Sequence, residues 1–474
     1  MAEILTPDLC VLGAGSAGLS IAAGASQMGA KTILVEKGKM GGDCLNYGCV
    51  PSKALLVAAK AAAFHRHSAE LGVRYGEPQI DFGAVHHHVH RVIASIAPMD
   101  SVERFEGLGV SVLRGTARFT GPGEVEVDGT RIRARRFVVA TGSMPLVPPI
   151  PGLSEVDPLT NESVFDLTKL PEHLIVIGGG PIGCELGQAF RLLGARVSIV
   201  EMASILPKDD PELVEILRRR LRADGIDLHE GAKVVGVARA ESGIRVEIER
   251  DGTRQQISGS HLLLAVGRVP GVEGLGLESA GIEYDRRGIK TDARLRTTNK
   301  KVYAAGDIAG GLQFTHVAGY HAGIVIKNAL FRWPAKLDTN AVPWVTYTAP
   351  ELAQVGMAEA AAREAHGSVN ILRWPFAEND RAQAERRVDG LVKAVVRPNG
   401  KILGVTILGA QAGELIQPWV LAMSQGLKIG AMAQMIAPYP TLGEASKRAA
   451  GSFYIPKLFG ERTKWLVRFL ARFG

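Results

Sequence analysis

The stretch "LCVLGAGSAGLSIAAGASQMGAKTILVEKG", residues 9–38, decides the fold. An apolar run leads into Gly13, Gly15 and Gly18, an Ala-rich segment follows, and a second apolar run ends in Glu36. That order reads as strand, tight turn, helix, strand. The first glycine permits the turn, and the second lets backbone approach a pyrophosphate. The third lets helix and strand pack closely, while the helix N-terminus supplies N–H donors and the acid accepts from ribose hydroxyls.

The same pattern returns in "HLIVIGGGPIGCELGQAFRLLGARVSIVEMAS", residues 173–204, with Gly178, Gly180, Gly183 and Glu201. The acid lies 23 residues beyond the first glycine in both copies. A lone G-x-G-x-x-G is weak. Here each copy follows an apolar strand, opens a helix and ends in an acid, which is the context that gives it meaning. Two copies imply two dinucleotides. A carboxylate at Glu201 accepts from a 2′-hydroxyl and repels a 2′-phosphate, and Met202, Ala203 and Ser204 bring no arginine. NADH is therefore the expected donor, with NADPH the alternative because Lys208 is close in sequence.

The 474 residues leave room for two to four domains. Apolar residues make up 46% and charged residues 22%, the balance of a globular protein rather than a disordered one. Cys10, Cys44, Cys49 and Cys184 are too few for a disulfide-stapled secreted chain, so a reducing, cytoplasmic setting is expected. The N-terminus has no basic region followed by an apolar one, and no run of about 18 apolar residues occurs. A net charge of +7 without aromatic-interleaved basic patches gives no reason to expect nucleic acid.

Two further strand-like segments, "RRFVVATGSMP" (135–145) and "SHLLLAVGRVP" (260–270), close the two units. They carry Thr141 and Gly142 in the first and Gly267, Arg268 and Pro270 in the second. "KKVYAAGDIAGG" (300–311) runs into Gly306 and Asp307, where a strand-end carboxylate can take a sugar-like hydroxyl. Alternation in "GLVKAVVRPNGKILGVTILG" (390–409) predicts a hairpin about "PNGK".

Together with "GGDCLNYGCVPSK" (41–53), these segments resemble the flavin disulfide reductases, the group of glutathione reductase, dihydrolipoamide dehydrogenase and mercuric reductase. The resemblance covers essentially the whole chain. It implies an α/β protein with two Rossmann-like dinucleotide-binding domains, for FAD and NAD, and an α+β C-terminal dimerisation domain. FAD binding would occupy 1–150 and 271–340, NAD(P)H binding 151–270, and the interface domain 341–474, beginning with "VPWVTYTAPELAQVG". The resemblance places FAD on Gly13, Gly15, Gly18, Glu36, Thr141, Gly142, Gly306 and Asp307. It places the nicotinamide nucleotide on Gly178, Gly180, Gly183, Glu201 and Gly267. A homodimer is implied.

Cys44 and Cys49 have the wrong spacing for a zinc knuckle, and no second pair completes four ligands. A disulfide between them would close a very short loop, which stabilises least. The helix-forming run "ALLVAAKAAAF" after Cys49 puts the cysteines at a helix N-terminus, where the dipole favours thiolate. A redox pair fits best. The resemblance makes Cys49 the flavin-side thiol, Cys44 the exposed, substrate-side thiol, Lys53 the cation near the flavin and Glu185 its ion-pair partner. Cys10 and Cys184 read as buried structural residues. His86, His87, His88 and His90 form a cluster, but the three consecutive histidines spread around a helix and cannot all face one ion, so no metal site is expected.

The family's dithiol enzymes take their acid–base from a C-terminal His-Pro-Thr segment that ends in a glutamate. Here "APYPTLGEASK" (437–447) keeps Pro440, Thr441 and Glu444 but has Tyr439 at the histidine position. A phenol near pKa 10 is a poor shuttle where an imidazole near 6.5 is a good one. Mercuric reductases carry tyrosine there, which turns the analogy toward them. They also end in a vicinal cysteine pair, and no cysteine follows Cys184. They usually lack the acid matching Glu201.

The C-terminal "PKLFGERTKWLVRFLARFG" reads as one basic amphipathic helix, with Phe459, Leu466, Phe469, Leu470 and Phe473 near one face. Arg462 borders that face, while Glu461, Lys464, Arg468 and Arg472 lie largely opposite. With Lys457 this gives five positive groups against one negative. Docking on the dimer is the first expectation, and peripheral contact with the inner membrane face is the alternative.

The expected activity is transfer of electrons from NADH through FAD and Cys44–Cys49 to a thiol-reactive small molecule or metal ion. The alternatives are a dihydrolipoyl dehydrogenase and a membrane-associated electron-transfer flavoprotein.

Overall fold

The structure is a computed structural model that describes residues 4–241 and 243–473. Its first layer is a five-stranded parallel sheet. In spatial order the strands are Val302–Ala304, Arg136–Val139, Leu9–Leu12, Thr32–Glu36 and Val110–Arg114. Leu9–Leu12 lies at the centre and is wholly buried, as a strand flanked by crossover helices must be. The helix Ser16–Gln27 crosses from it to Thr32–Glu36 and buries Ala17, Gly18, Leu19, Ile21, Ala22 and Ala25.

The second unit repeats the design with a four-stranded parallel sheet ordered Asp227–Glu230, Arg196–Glu201, His173–Ile177, His261–Leu264. Its crossover helix is Pro181–Leu192. The last strand of the first sheet, Val302–Ala304, follows this unit in sequence, so the second sheet is inserted into the first. Two short antiparallel strands, Ser143–Pro145 and Arg268–Pro270, form the crossover out of the first unit and back into it.

The third layer is a five-stranded antiparallel sheet containing the hairpin Leu391–Val396 and Ile402–Gly409, which turns at the expected Pro-Asn-Gly, although its strands are not half-buried as alternation implies. Both hairpin strands are buried on both faces. Helix Glu444–Ser452 packs its Ala445, Ala449 and Ala450 beneath this sheet. A buried Lys393 ties the sheet to the second unit. Its Nζ lies 2.8 Å from Asp210 Oδ2, 2.8 Å from Glu212 and 2.9 Å from Glu359.

Candidate redox and nucleotide site

The two glycine turns separate what the chain needs from what a ligand needs. Gly13 and Gly178 have φ of +105° and +110°, and a Cβ at either would meet carbonyl oxygen at 2.5 and 2.4 Å. At Gly18 and Gly183 a Cβ would lie 1.8 and 1.9 Å from the carbonyl oxygens of Gly13 and Gly178. Packing alone demands glycine at these four positions. Gly15 and Gly180 differ. Both have ordinary extended backbone, a Cβ at Gly180 would meet nothing within 4 Å, and the nearest atom to one at Gly15 is 4.0 Å away. Both also cap helices that have no side-chain cap. Glycine with no intramolecular reason, beside free helix N–H groups, fits a pyrophosphate, so both cradles fit a dinucleotide.

The two strand-end acids are held alike. Glu36 accepts from the backbone N–H of Ala14 and of Gly38, each at 2.6 Å. Glu201 accepts from the N–H of Gly179 at 2.7 Å and of Ala203 at 2.9 Å. An arginine distant in sequence does approach the second acid's loop: Arg218 donates to Ser204 Oγ at 2.8 Å. Its guanidinium is paired with Glu230 at 2.7 Å and with Glu215.

The cysteine loop lies against the first cradle. A Cβ on Gly42, which has φ +58°, would come within 2.7 Å of Gly15 Cα. Cys44 lies in the short helix Gly42–Asn46, and Cys49 is the first residue of Cys49–Glu70. Only Cys49 therefore gains the long helix's N-terminal field. Cys44 is half-buried, and in the first turn of the long helix Pro51 and Ser52 are buried.

Electrostatics still assign the two sulfurs distinct states. A hydrogen bond from Cys44 is the main cause that lowers Cys49 to about 6, with Thr315 and Lys53 assisting against burial. The same bond, with burial, pushes the Cys44 thiol up. Thr315 Oγ1 lies 3.3 Å from Cys49 Sγ and heads the helix Thr315–Ala329. No sequence motif marked it. Lys53 Nζ lies 2.9 Å from Glu185 Oε2, and the other Glu185 oxygen accepts from the Tyr347 N–H at 2.9 Å. Burial opposes the Lys53 charge, but Glu185 more than offsets it and the pKa rises. Cys10 and Cys184 are fully buried, and burial raises both thiols.

The carboxyl of Asp307 is raised by burial and accepts from Ser143 Oγ at 2.6 Å. Gly306 has φ +75° and its N–H donates to His321 Nδ1 at 3.2 Å. Thr141 Oγ1 donates to Gly271 O at 3.3 Å, beside Gly142 at φ +70°, while Gly267 takes φ +118° with open space around it.

Residues 7–322 match the family model for pyridine nucleotide-disulphide oxidoreductase, and 342–450 match the family's dimerisation domain. The chain belongs to the pyridine nucleotide-disulphide oxidoreductases. The family is FAD- and pyridine nucleotide-dependent, and its members are redox-disulfide enzymes. Among curated relatives, mercuric reductase of Bacillus cereus is 35% identical over 94% of this chain and 71% of its own. Dihydrolipoyl dehydrogenase of Thermus scotoductus is 37% identical over 95% of this chain and 98% of its own. Among solved structures, the HOCl-induced flavoprotein disulfide reductase RclA of Escherichia coli superposes with a TM-score of 0.84 at 28% identity, covering 94% of this chain and 99% of that one.

In this oxidoreductase the segment around Tyr439 is exposed, and its hydroxyl donates to Asp380 Oδ2 at 3.0 Å. That bond raises the phenol further from neutrality, and Glu444 adds to the effect from the start of the helix Glu444–Ser452. The tail departs from the single helix expected. Gly460 takes an extended conformation and breaks it, leaving Lys457 and Phe459 on the near side and a helix Glu461–Leu470 beyond. No residue of that helix is buried, and Trp465, absent from the expected face, stacks on Phe469 at 5.4 Å. Among the described residues no helix is long and apolar enough to cross a membrane, and no three His, Cys, Asp or Glu side chains group to hold a metal ion.

Proposed function

We propose that this enzyme takes electrons from NADH and delivers them through the Cys44–Cys49 pair to a thiol-reactive acceptor, in the manner of mercuric reductase. Bound FAD supplies the two-electron relay between the nicotinamide and the disulfide. The observation that carries the reading is the setting of Cys49, which heads the long helix 3.3 Å from Thr315 Oγ1 with the Lys53–Glu185 pair one turn further on, an arrangement that favours its thiolate over that of Cys44. Lys53, fixed by Glu185, supplies the cation at the base of the redox helix.

Tyr439 supports a soft metal ion or electrophile over a dithiol. A phenol whose proton Asp380 holds is a weak shuttle for a departing thiol. The family resemblance implies that Tyr439 and Glu444 of one subunit act beside the cysteines of the other. One of the solved relatives is a Cu(II) complex of RclA, which supports a metal acceptor. Glu201, with Arg218 already committed to Glu230, supports NADH over NADPH.

The test is NADH oxidation by the holoenzyme with Hg(II), Cu(II), lipoamide, glutathione disulfide and quinones, in wild type and Cys44→Ser. The reading requires a metal or electrophile to be the best acceptor and Cys44→Ser to lose at least tenfold with it. Full activity of Cys44→Ser, or lipoamide as the best acceptor, refutes it.

A second reading of the tail, beside docking on the dimer, is peripheral contact with an anionic membrane. Trp465, Phe469 and Phe473 form an uncovered aromatic row, and Lys464 is the one cation of the helix neutralised, by Glu461. Sedimentation with phosphatidylglycerol vesicles should retain the full chain and release a chain ending at Pro456. Equal partitioning removes the basis for it.

A further inference from the structure

Asp43, immediately before Cys44, is no motif residue that the sequence reading used, yet two elements distant in sequence converge on it. Its Oδ1 accepts from Arg268 Nη2 at 3.0 Å and from Asn161 Nδ2 at 3.0 Å. Asn161 is buried and also donates to the carbonyl of Tyr47 at 3.2 Å, so one amide grips both halves of the loop. On the other side Asp43 Oδ2 packs on Gly48, where a Cβ would lie 2.8 Å from that oxygen. The close approach of Asp43–Cys44 to Gly48–Cys49 needs glycine there.

Arg268 is equally constrained. Its side chain is 13% exposed and opens the return strand Arg268–Pro270 of the crossover. Its Nε donates to Ser143 Oγ and its Nη2 to the Ser143 carbonyl, both at 2.8 Å, on the paired outgoing strand. Ser143 Oγ in turn donates to Asp307. A continuous polar chain therefore runs from the residue before Cys44, through the crossover strands, to the strand-end Asp307. None of these partners is near another in sequence.

We propose that Asp43 and Arg268 form a positioning pair that fixes the cysteine loop to the crossover between the two nucleotide units and balances charge beside the two sulfurs. The inference rests on Cys44–Cys49 being a reversible redox couple. Asp43 alone places a negative charge near Cys49 and disfavours its thiolate, and Arg268 offsets that charge. Stabilising the thiolate favours the dithiol over the disulfide.

The test equilibrates the holoenzyme with dithiothreitol buffers, in which the reagent's dithiol is oxidised as the protein disulfide is reduced. Alkylation and peptide mass spectrometry then give the dithiol fraction. Asp43→Asn keeps the shape and should shift the equilibrium about threefold toward dithiol, about 14 mV at 29.6 mV per tenfold. Arg268→Gln should shift it about threefold toward disulfide. Arg268→Lys should restore the wild-type value, and Asp43→Asn/Arg268→Gln should fall between the single variants. A purely structural role loosens the loop in both single variants and moves both toward dithiol. That result, or wild-type values throughout, overturns the proposal. If Arg268→Gln does not fold, an unchanged equilibrium in Asp43→Asn overturns it alone. A wild-type pair that never equilibrates would instead count against the redox reading.

Discussion

Lys53 and Glu185, 132 residues apart, meet at 2.9 Å and join the redox helix to the crossover helix of the second nucleotide unit. The carboxylate is nearly buried, the ammonium is partly open, and the second carboxylate oxygen reaches the start of the third layer at Tyr347. One side chain therefore ties together all three layers at the base of the cysteine helix.

Glu185→Ala removes both bonds and leaves Lys53 without its partner. Because Lys53 is partly open to solvent, the cost is discounted to about 2 kcal/mol, measurable by urea unfolding. NADH-driven turnover should fall at least tenfold, and Glu185→Asp, a methylene shorter, should recover little of it.

The Cys49 thiol should titrate near 6, so that thiolate dominates above that pH and is lost below it. In the reduced enzyme, the rate of iodoacetamide alkylation at Cys49 should fall to half near pH 6. Thr315→Val removes the hydroxyl at 3.3 Å and should move that midpoint upward. An unmoved midpoint would show that the hydroxyl does not stabilise the thiolate.

The glycines should divide by function. Gly180→Ala meets open space, so it should leave the melting temperature within about 2 °C while raising the NADH KM about tenfold. Gly183→Ala, whose Cβ would lie 1.9 Å from a carbonyl oxygen, should impair folding itself. Thermal melts alongside NADH titrations separate the two.

These contrasts mark what the sequence could and could not show. The nucleotide units were legible because each is one local run in which turn, helix and acid follow one another. The hairpin at Leu391–Gly409 was legible for the same reason. Thr315 beside Cys49 and Arg268 beside Asp43 are separated by 266 and 225 residues, and no spacing rule spans the inserted unit. Asp380 was missed because only the third layer brings it to Tyr439. The tail was overread as one helix because the apolar period continues through Gly460 while the backbone does not.

Tyr439→His should add lipoamide-dependent NADH oxidation at neutral pH, by about tenfold or more, since an imidazole exchanges protons where the phenol does not. The shorter imidazole gives up the phenol's bond to Asp380. Unchanged lipoamide turnover would mean that this position does not control the acceptor.

The central claim is that electrons from NADH reach Cys44 and Cys49. Oxidised holoenzyme, treated anaerobically with two equivalents of NADH per subunit, would be alkylated under native conditions and mapped by peptide mass spectrometry. The account predicts that Cys44 and Cys49 become labelled only after NADH, while buried Cys10 and Cys184 stay unlabelled throughout. Labelling of Cys44 and Cys49 that does not respond to NADH would contradict it.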